Sequence, residues 1–264
     1  MLSLLRSPRW IAATVVVVVA VSAFTALGLW QLRRLEERRD YNALVSERSA
    51  AEPIGPAELA DGDPDELAYR RARIPGTYLV ADEVLLSTRA SAGRPGHHVL
   101  TPLEAAGTVV VVDRGWVPLD ERTTPVQAAL PPEGEVTVEG LLMPGVEARR
   151  HGTFDGGPGA LEFVSHVDLE VLSAELGSLA PLWLLAEEQS PAQTGGLPVP
   201  AETPTLDEGS HLSYAVQWFL FAAVVAVGFP LLLRRVHRDR SDLVPAGTAQ
   251  RAQRTPADRT TPLP

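Results

Sequence analysis

Residues 10–32 read WIAATVVVVVAVSAFTALGLWQL, a run with no charged side chain between Arg9 and Arg33. A helix rises about 1.5 Å per residue, so about 20 residues cross the ~30 Å hydrocarbon layer of a bilayer, and this run is long enough. It predicts a transmembrane helix. A cleaved signal peptide is the competing reading, because Arg6 and Arg9 supply a basic start. Such signals have hydrophobic cores of only ~7–15 residues that end at a small-x-small site, and no clear Ala-x-Ala closes this longer run. A second uncharged stretch, residues 209–233, carries Trp218, Phe219, Leu220 and Phe221 ahead of Arg234 and Arg235, and predicts a second span.

Charge divides along the same lines. The 264-residue chain carries a formal charge of -10, and all 23 of its basic residues are Arg. Residues 1–9 carry +2, residues 33–210 set 14 Arg against 30 acids, and residues 234–264 set seven Arg against three Asp. Arg234, Arg235, Arg238 and Arg240 follow the second span directly, while no Arg stands between Arg150 and Ser210, so the positive-inside rule puts residues 234–264 in the cytoplasm. With two spans, residues 1–9 are cytoplasmic as well. Arg33, Arg34, Arg38 and Arg39 after the first span point the other way, but long loops translocate largely regardless of charge. Residues 33–208 are therefore read as an extracytoplasmic domain between transmembrane segments 10–32 and 209–233, with the polar residues 234–264 as a disordered cytoplasmic tail. The location expected is the cell (plasma) membrane.

From residue 31 to about 49 the pattern stays charged and helical, as if the first span continues out of the bilayer. Residues 51–66 are rich in Pro, Gly and acids and read as loop. Short β-branched runs follow at 69–74, 77–80, 84–88, 97–103, 108–114 and 136–142, separated by turn formers such as Pro75-Gly76, Ala106-Gly107 and Glu133-Gly134. The fold expected is α+β and mainly antiparallel β, a sheet or a partly closed barrel, with residues 109–112 as its most buried strand. One helix is bounded by Asp168 as N-cap and Gly177 as C-cap, and a closing strand lies at 181–186. Residues 190–208, with Pro191, Pro198, Pro200 and Pro204, form an extended tether into the second span.

The chain contains no cysteine, which excludes disulfides, thiolate metal sites and a cysteine nucleophile. An acidic chain without a dominant basic face also argues against nucleic acid as a partner. The six histidines, at 97, 98, 151, 166, 211 and 237, form no H-x-x-x-H or H-E-x-x-H pair. On a strand His97 and His98 point to opposite faces, and one packed and one solvated ring is their simplest reading. A hydrolase built on either would need Ser87, Ser91 or Asp113 beside it, and no G-x-S-x-G supports one. The Gly-rich residues 152–159 lack a G-K-[ST] signature and read as a hairpin loop.

His211 differs, because it begins the second span at the level of the membrane surface. His211, Tyr214 and Trp218 fall on one helical stripe, which is either an interfacial aromatic belt or a neutral imidazole offered as a metal ligand to an iron porphyrin. On the first span, Gly28 and Gln31 fall on one face, where Gly28 admits a second helix closely and Gln31 can hydrogen-bond across the contact. Arg114 and Trp116 share a face if strand 108–114 runs on regularly; Arg114 then meets either a structural carboxylate or an anionic group of a ligand. Gly96 and Gly115 mark backbone that cannot carry a side chain.

These segments occur together in a recognisable order. Residues 27–31 (LGLWQ) with Arg34, 93–103 (GRPGHHVLTPL), 111–118 (VVDRGWVP), 138–142 (VEGLL) and 210–218 (SHLSYAVQW) make the chain resemble the Surfeit locus protein 1 family of cytochrome c oxidase assembly factors. The resemblance implies a non-enzymatic membrane-bound factor that receives haem a and hands it to the catalytic subunit of the oxidase, with a haem a synthase as a further partner. It implies His211 as the haem-linked histidine, with Tyr214, Trp218, Arg114 and Trp116 as candidate cofactor contacts. Ser210 and Glu37-Arg38 depart from the family's usual Asn and Trp-Lys at those places. A membrane-tethered scaffold or sensor without cofactor is the alternative. The topology predicts that protease added to intact spheroplasts digests residues 33–208 and spares residues 1–9 and 234–264; full protection of the middle would overturn it.

Overall fold

The computed structural model describes residues 7–146 and 161–242, so residues 1–6, the Gly-rich segment 152–159 and the tail from 243 lie outside the described residues. The chain divides into two units, one made of its two terminal parts and the other of residues 39–207.

In the first unit, helix α1 (Pro8–Ser49) continues past residue 32 as its charged helical pattern indicated, and helix α5 (His211–Asp242) runs on through Arg234 and Arg235 into what was read as tail. Both are long and apolar enough to cross a membrane, and only 6% and 11% of their most apolar windows are buried. A core helix of a soluble protein would bury that surface, so these two need an apolar medium around them. They run antiparallel: Trp10 meets Phe229 at 6.5 Å, and Phe24 stacks on Trp218 at 5.7 Å. Gly28 makes the contact close, since a Cβ there would come within 2.7 Å of the Phe219 ring.

The second unit is a seven-stranded mixed sheet in the order β1-β5-β7-β4-β3-β2-β6. Five of its strands close a ring, β1 (Arg71–Tyr78), β5 (Glu135–Pro144), β7 (Leu182–Ser190), β4 (Thr108–Pro118) and β3 (Arg94–Ala105), because β3 returns to β1 through Thr77↔Glu104 and Tyr78↔Leu103. Strands β2 (Val84–Ser91) and β6 (Phe163–Val164) extend the sheet beyond β3. Most pairings are antiparallel, while β4–β7 and β2–β6 are parallel. Two short helices, α2 (Pro56–Asp61) and α3 (Pro64–Leu67), occupy the segment read as loop. Helix α4 (Leu169–Leu176) starts at Asp168, whose side chain caps Glu170 and Val171, and stops at Gly177.

Strand β1 passes straight through Pro75-Gly76, which the sequence read as a turn. Along β1 the backbone N–H of Arg73 turns away from β5 to donate to Ile54, so by alternation Pro75 needs no donor on that side. Gly76 is required by a crossing: a Cβ there would stand 2.4 Å from the Glu104 carbonyl of β3. The alternation of β1 buries Ala72, Ile74 and Tyr78 against Leu103, Val112, Val138 and Leu184. Strand β4 is buried on both faces because Val111, with Leu86, Leu100 and Leu172 of α4, forms a second cluster on the opposite side.

His97 packs edge-on against Phe163 at 5.4 Å, and both its ring nitrogens are buried without a hydrogen-bond partner. Burial, helped by Arg122, holds its pKa below the ordinary 6.5; the Leu119 backbone opposes this without meeting hydrogen-bond geometry. As pH falls below 6.5 the unfolded chain therefore takes up a proton that the folded chain refuses, and stability drops. The unfolding midpoint of the full chain in detergent should fall between pH 7.5 and 5.5, and His97→Leu should flatten that fall; an unchanged slope would reject His97 as the cause.

Candidate functional site

At the start of α5, His211 lies half-buried with its Nδ1 2.8 Å from Oε1 of Gln31 on α1. The amide oxygen can only accept, so Nδ1 carries the proton and Nε2 keeps its lone pair. A histidine that ligates a metal is oriented in the same way, by a hydrogen bond at its other ring nitrogen. The bond depends on the helix spacing set where Gly28, one turn from Gln31, meets Phe219. Along α5, Ala215 and Ala222 are buried toward α1 and Trp218 is stacked on Phe24, while Tyr214 is 48% exposed. His211 and Trp218 thus face the neighbouring helix, and Tyr214 stands at the edge of that stripe. Among the described residues no cluster of three or more His, Asp or Glu could hold a metal ion.

Arg114 and Trp116 lie in the other unit, and they do not share a face. The register of β4 on β3 shifts between His98 and Leu100, with Leu100 opposite Asp113 and His98 opposite Trp116, so one extra residue bulges from β4. Gly115 takes a φ of +125° at this bulge. Arg114 consequently points with Val112 toward the interior of the ring, and Trp116 joins His98 and Asp113 on the other face. Regular alternation predicted a shared face because a bulge leaves no mark in spacing alone.

The Arg114 guanidinium is almost wholly engaged within the domain. Its Nη2 donates to the Ala129 carbonyl at 2.7 Å and to Gln193 Oε1 at 2.8 Å, its Nη1 reaches Glu83 Oε2 at 3.4 Å, and its Cζ lies 5.2 Å over the Tyr78 ring. Glu83 also accepts from the Val126 N–H at 2.7 Å and the Thr101 hydroxyl at 3.0 Å. Burial pushes the Glu83 carboxyl up against these donors, and burial pulls the Arg114 guanidinium down against Tyr78 and Glu83. This is the structural carboxylate partner that the sequence could not name. Trp116 is 2% exposed and pressed against Gly96, where a Cβ would come within 2.4 Å of its Nε1. The tether is extended but docked: Trp116 and Val199 exchange backbone hydrogen bonds of 2.7 and 2.8 Å. A Cβ on Gly115 would lie 2.2 Å from the Val199 carbonyl.

His97 and His98 do point to opposite faces, His97 among apolar side chains and His98 onto Asp113, with Nδ1 2.8 Å from Oδ2. The family model for the SURF1 family matches residues 18–223. The chain belongs to the SURF1 family. It is 29% identical over 233 residues to a SURF1-like protein of Monosiga brevicollis, covering 82% of this chain and 85% of that one. An uncharacterised SURF1-like protein of Mycobacterium tuberculosis is 27% identical over 275 residues, across 98% of this chain and 97% of the relative. A SURF1-like protein of Rickettsia felis is 26% identical over 230 residues, 84% of this chain and 96% of its own length. The SURF1 family is generally one of cytochrome oxidase assembly factors and not a known enzyme class.

Removing one member of a buried ion pair leaves the other uncompensated, at about 3–5 kcal/mol, whereas replacing both with apolar residues costs far less. Glu83→Leu should therefore destabilise the full chain strongly in denaturant unfolding, and adding Arg114→Met to it should recover part of the loss. Additive losses would show that the two charges are not coupled.

Proposed function

We propose that this SURF1-family protein matures cytochrome c oxidase by receiving haem a at His211 and passing it to the catalytic subunit, with a haem a synthase as the source. We further propose that it does so in the plasma membrane, with both termini cytoplasmic and residues 33–208 on the outer side. The observation that carries the reading is the Gln31–His211 hydrogen bond, which presents one ring nitrogen with a free lone pair at the end of an apolar helix pair. Family membership supports the link to the oxidase.

The residues fit an iron porphyrin as cargo. A neutral imidazole is the usual protein ligand to haem iron when no thiolate is present, and Trp218, Phe24 and Phe221 form an aromatic cluster further along the same helix pair. Gln31 is then a positioning residue: it fixes the tautomer and the ring plane of His211 without touching the metal. Arg114 needs no ligand to satisfy its charge, so its place in the proposal is to hold the ring of strands together.

Protein purified from cells that make haem a should show an a-type haem spectrum. His211→Ala should abolish it, and Gln31→Ala should weaken retention about ten- to hundredfold, the usual cost of losing a partner behind a metal ligand. Haem retained by His211→Ala would reject the site. Undiminished a-type oxidase absorbance after deletion of the gene would reject the assembly role and favour a scaffold or sensor without cofactor.

A further inference from the structure

Two of the sequence segments that carry the family likeness, 93–103 and 111–118, converge at a place the haem proposal does not use. A cavity of about 320 Å³ opens on the face of the sheet opposite the ring interior, lined by His98 of β3, Asp113 of β4, Leu86 of β2, and Met143, Trp183 and Leu185 of β5 and β7. The docked tether forms one wall through Ala201 and Pro204. Its size is that of a small-molecule site, and its walls are mostly apolar. The Trp183 indole N–H is already committed to the Pro144 carbonyl at 3.0 Å, so that side chain offers the cavity only its ring.

The polar part is built around His98. Asp113, 2% exposed, accepts the Gly115 N–H on Oδ1 at 3.0 Å and meets His98 Nδ1 with Oδ2 at 2.8 Å. The carboxylate is thus locked by the bulge, and it fixes the proton on Nδ1. Nε2 is left as a hydrogen-bond acceptor with no partner among the described residues. The other charged or titratable lining groups are Arg89, His166 and Glu202; His166 and Glu202 are exposed, His166 Nδ1 meets Ser165 Oγ at 3.0 Å, and Arg89 reaches the Ser87 carbonyl. Arg89 is offset by Asp113 and Glu202, so the site has no net positive field to recruit an anion. Three metal-ligating groups do not gather there either.

We propose that this cavity is a second binding site, independent of haem, for a neutral molecule with an apolar body and one hydroxyl, an alcohol or phenol, whose O–H donates to His98 Nε2. The apolar walls take the body, and the locked acceptor selects the hydroxyl.

The test uses the full chain in detergent, labelled with 15N in histidine, titrated with 4-methylphenol and with 4-methylanisole, which has nearly the same body but no donor. The phenol should shift the His98 nitrogen resonances saturably, and the ether should bind about tenfold more weakly, the share of one hydrogen bond. Asp113→Asn keeps the acceptor for Gly115 on one oxygen and turns its amide toward Nδ1, moving the ring proton to Nε2; phenol binding should weaken about tenfold. Equal affinity for phenol and ether, an apolar void only, would overturn the proposal. So would shifts that never saturate. The comparison of the two probes on the unaltered protein decides the matter even if Asp113→Asn fails to fold.

Discussion

A single extra residue in β4 organises the domain of residues 39–207. Because the register slips between His98 and Leu100, Arg114 and Trp116 fall on opposite sides of a strand that regular pleating would have kept them on together. The interior side receives a buried cation, and Glu83 supplies the opposing charge while Ala129 and Gln193 accept from Nη2 and Nε is left without a partner. The outer side receives a tryptophan, a locked carboxylate and an imidazole. Gly115 makes this possible twice over, through a positive φ that L side chains rarely adopt and through the absence of a Cβ where Val199 crosses. The tether then becomes a wall of the domain instead of a free leash.

The helix pair answers a different constraint. Lipid tails are as apolar as the helices, so burial against lipid gains nothing and association must come from close packing and polar contacts. Gly28 permits the packing and Gln31 with His211 provides the polar contact, near the end of the apolar run where an unsatisfied amide would be costly. The aromatic pairs Trp10–Phe229 and Phe24–Trp218 continue the seam.

Legibility followed range. The two apolar runs, α4 with its caps, the buried β4 and the pairing role of Gly28 and Gln31 were all readable, because each rests on periodicity or on residues within one or two turns. What stayed hidden depends on partners far along the chain. Pro75-Gly76 resembles a turn until β3 is known to cross it. The shared face of Arg114 and Trp116 was inferred from a period that the bulge interrupts. Glu83 could not be recognised as the Arg114 partner, since nothing local distinguishes it from the chain's other acids. The tether was correctly extended, but its two hydrogen bonds to Trp116 are set by β4. Ring closure likewise rests on two residue pairs, Thr77↔Glu104 and Tyr78↔Leu103, too few to leave a pattern.

His211 and His98 show how setting dictates the choice of partner. Each has Nδ1 held by an oxygen 2.8 Å away. Beside the apolar helices the oxygen belongs to an amide, because a carboxylate there would carry a desolvation cost with no backbone N–H to share it. In the β domain the oxygen belongs to Asp113, and the bulge supplies the missing compensation through the Gly115 N–H. A carboxylate behind an imidazole stabilises the ring if it gains a proton, as well as orienting it, whereas an amide only orients. Gln31 therefore suits the proposed haem ligand, which needs a neutral ring. Asp113 suits the proposed hydroxyl acceptor, and exchanging the two side chains would place each in the environment that penalises it.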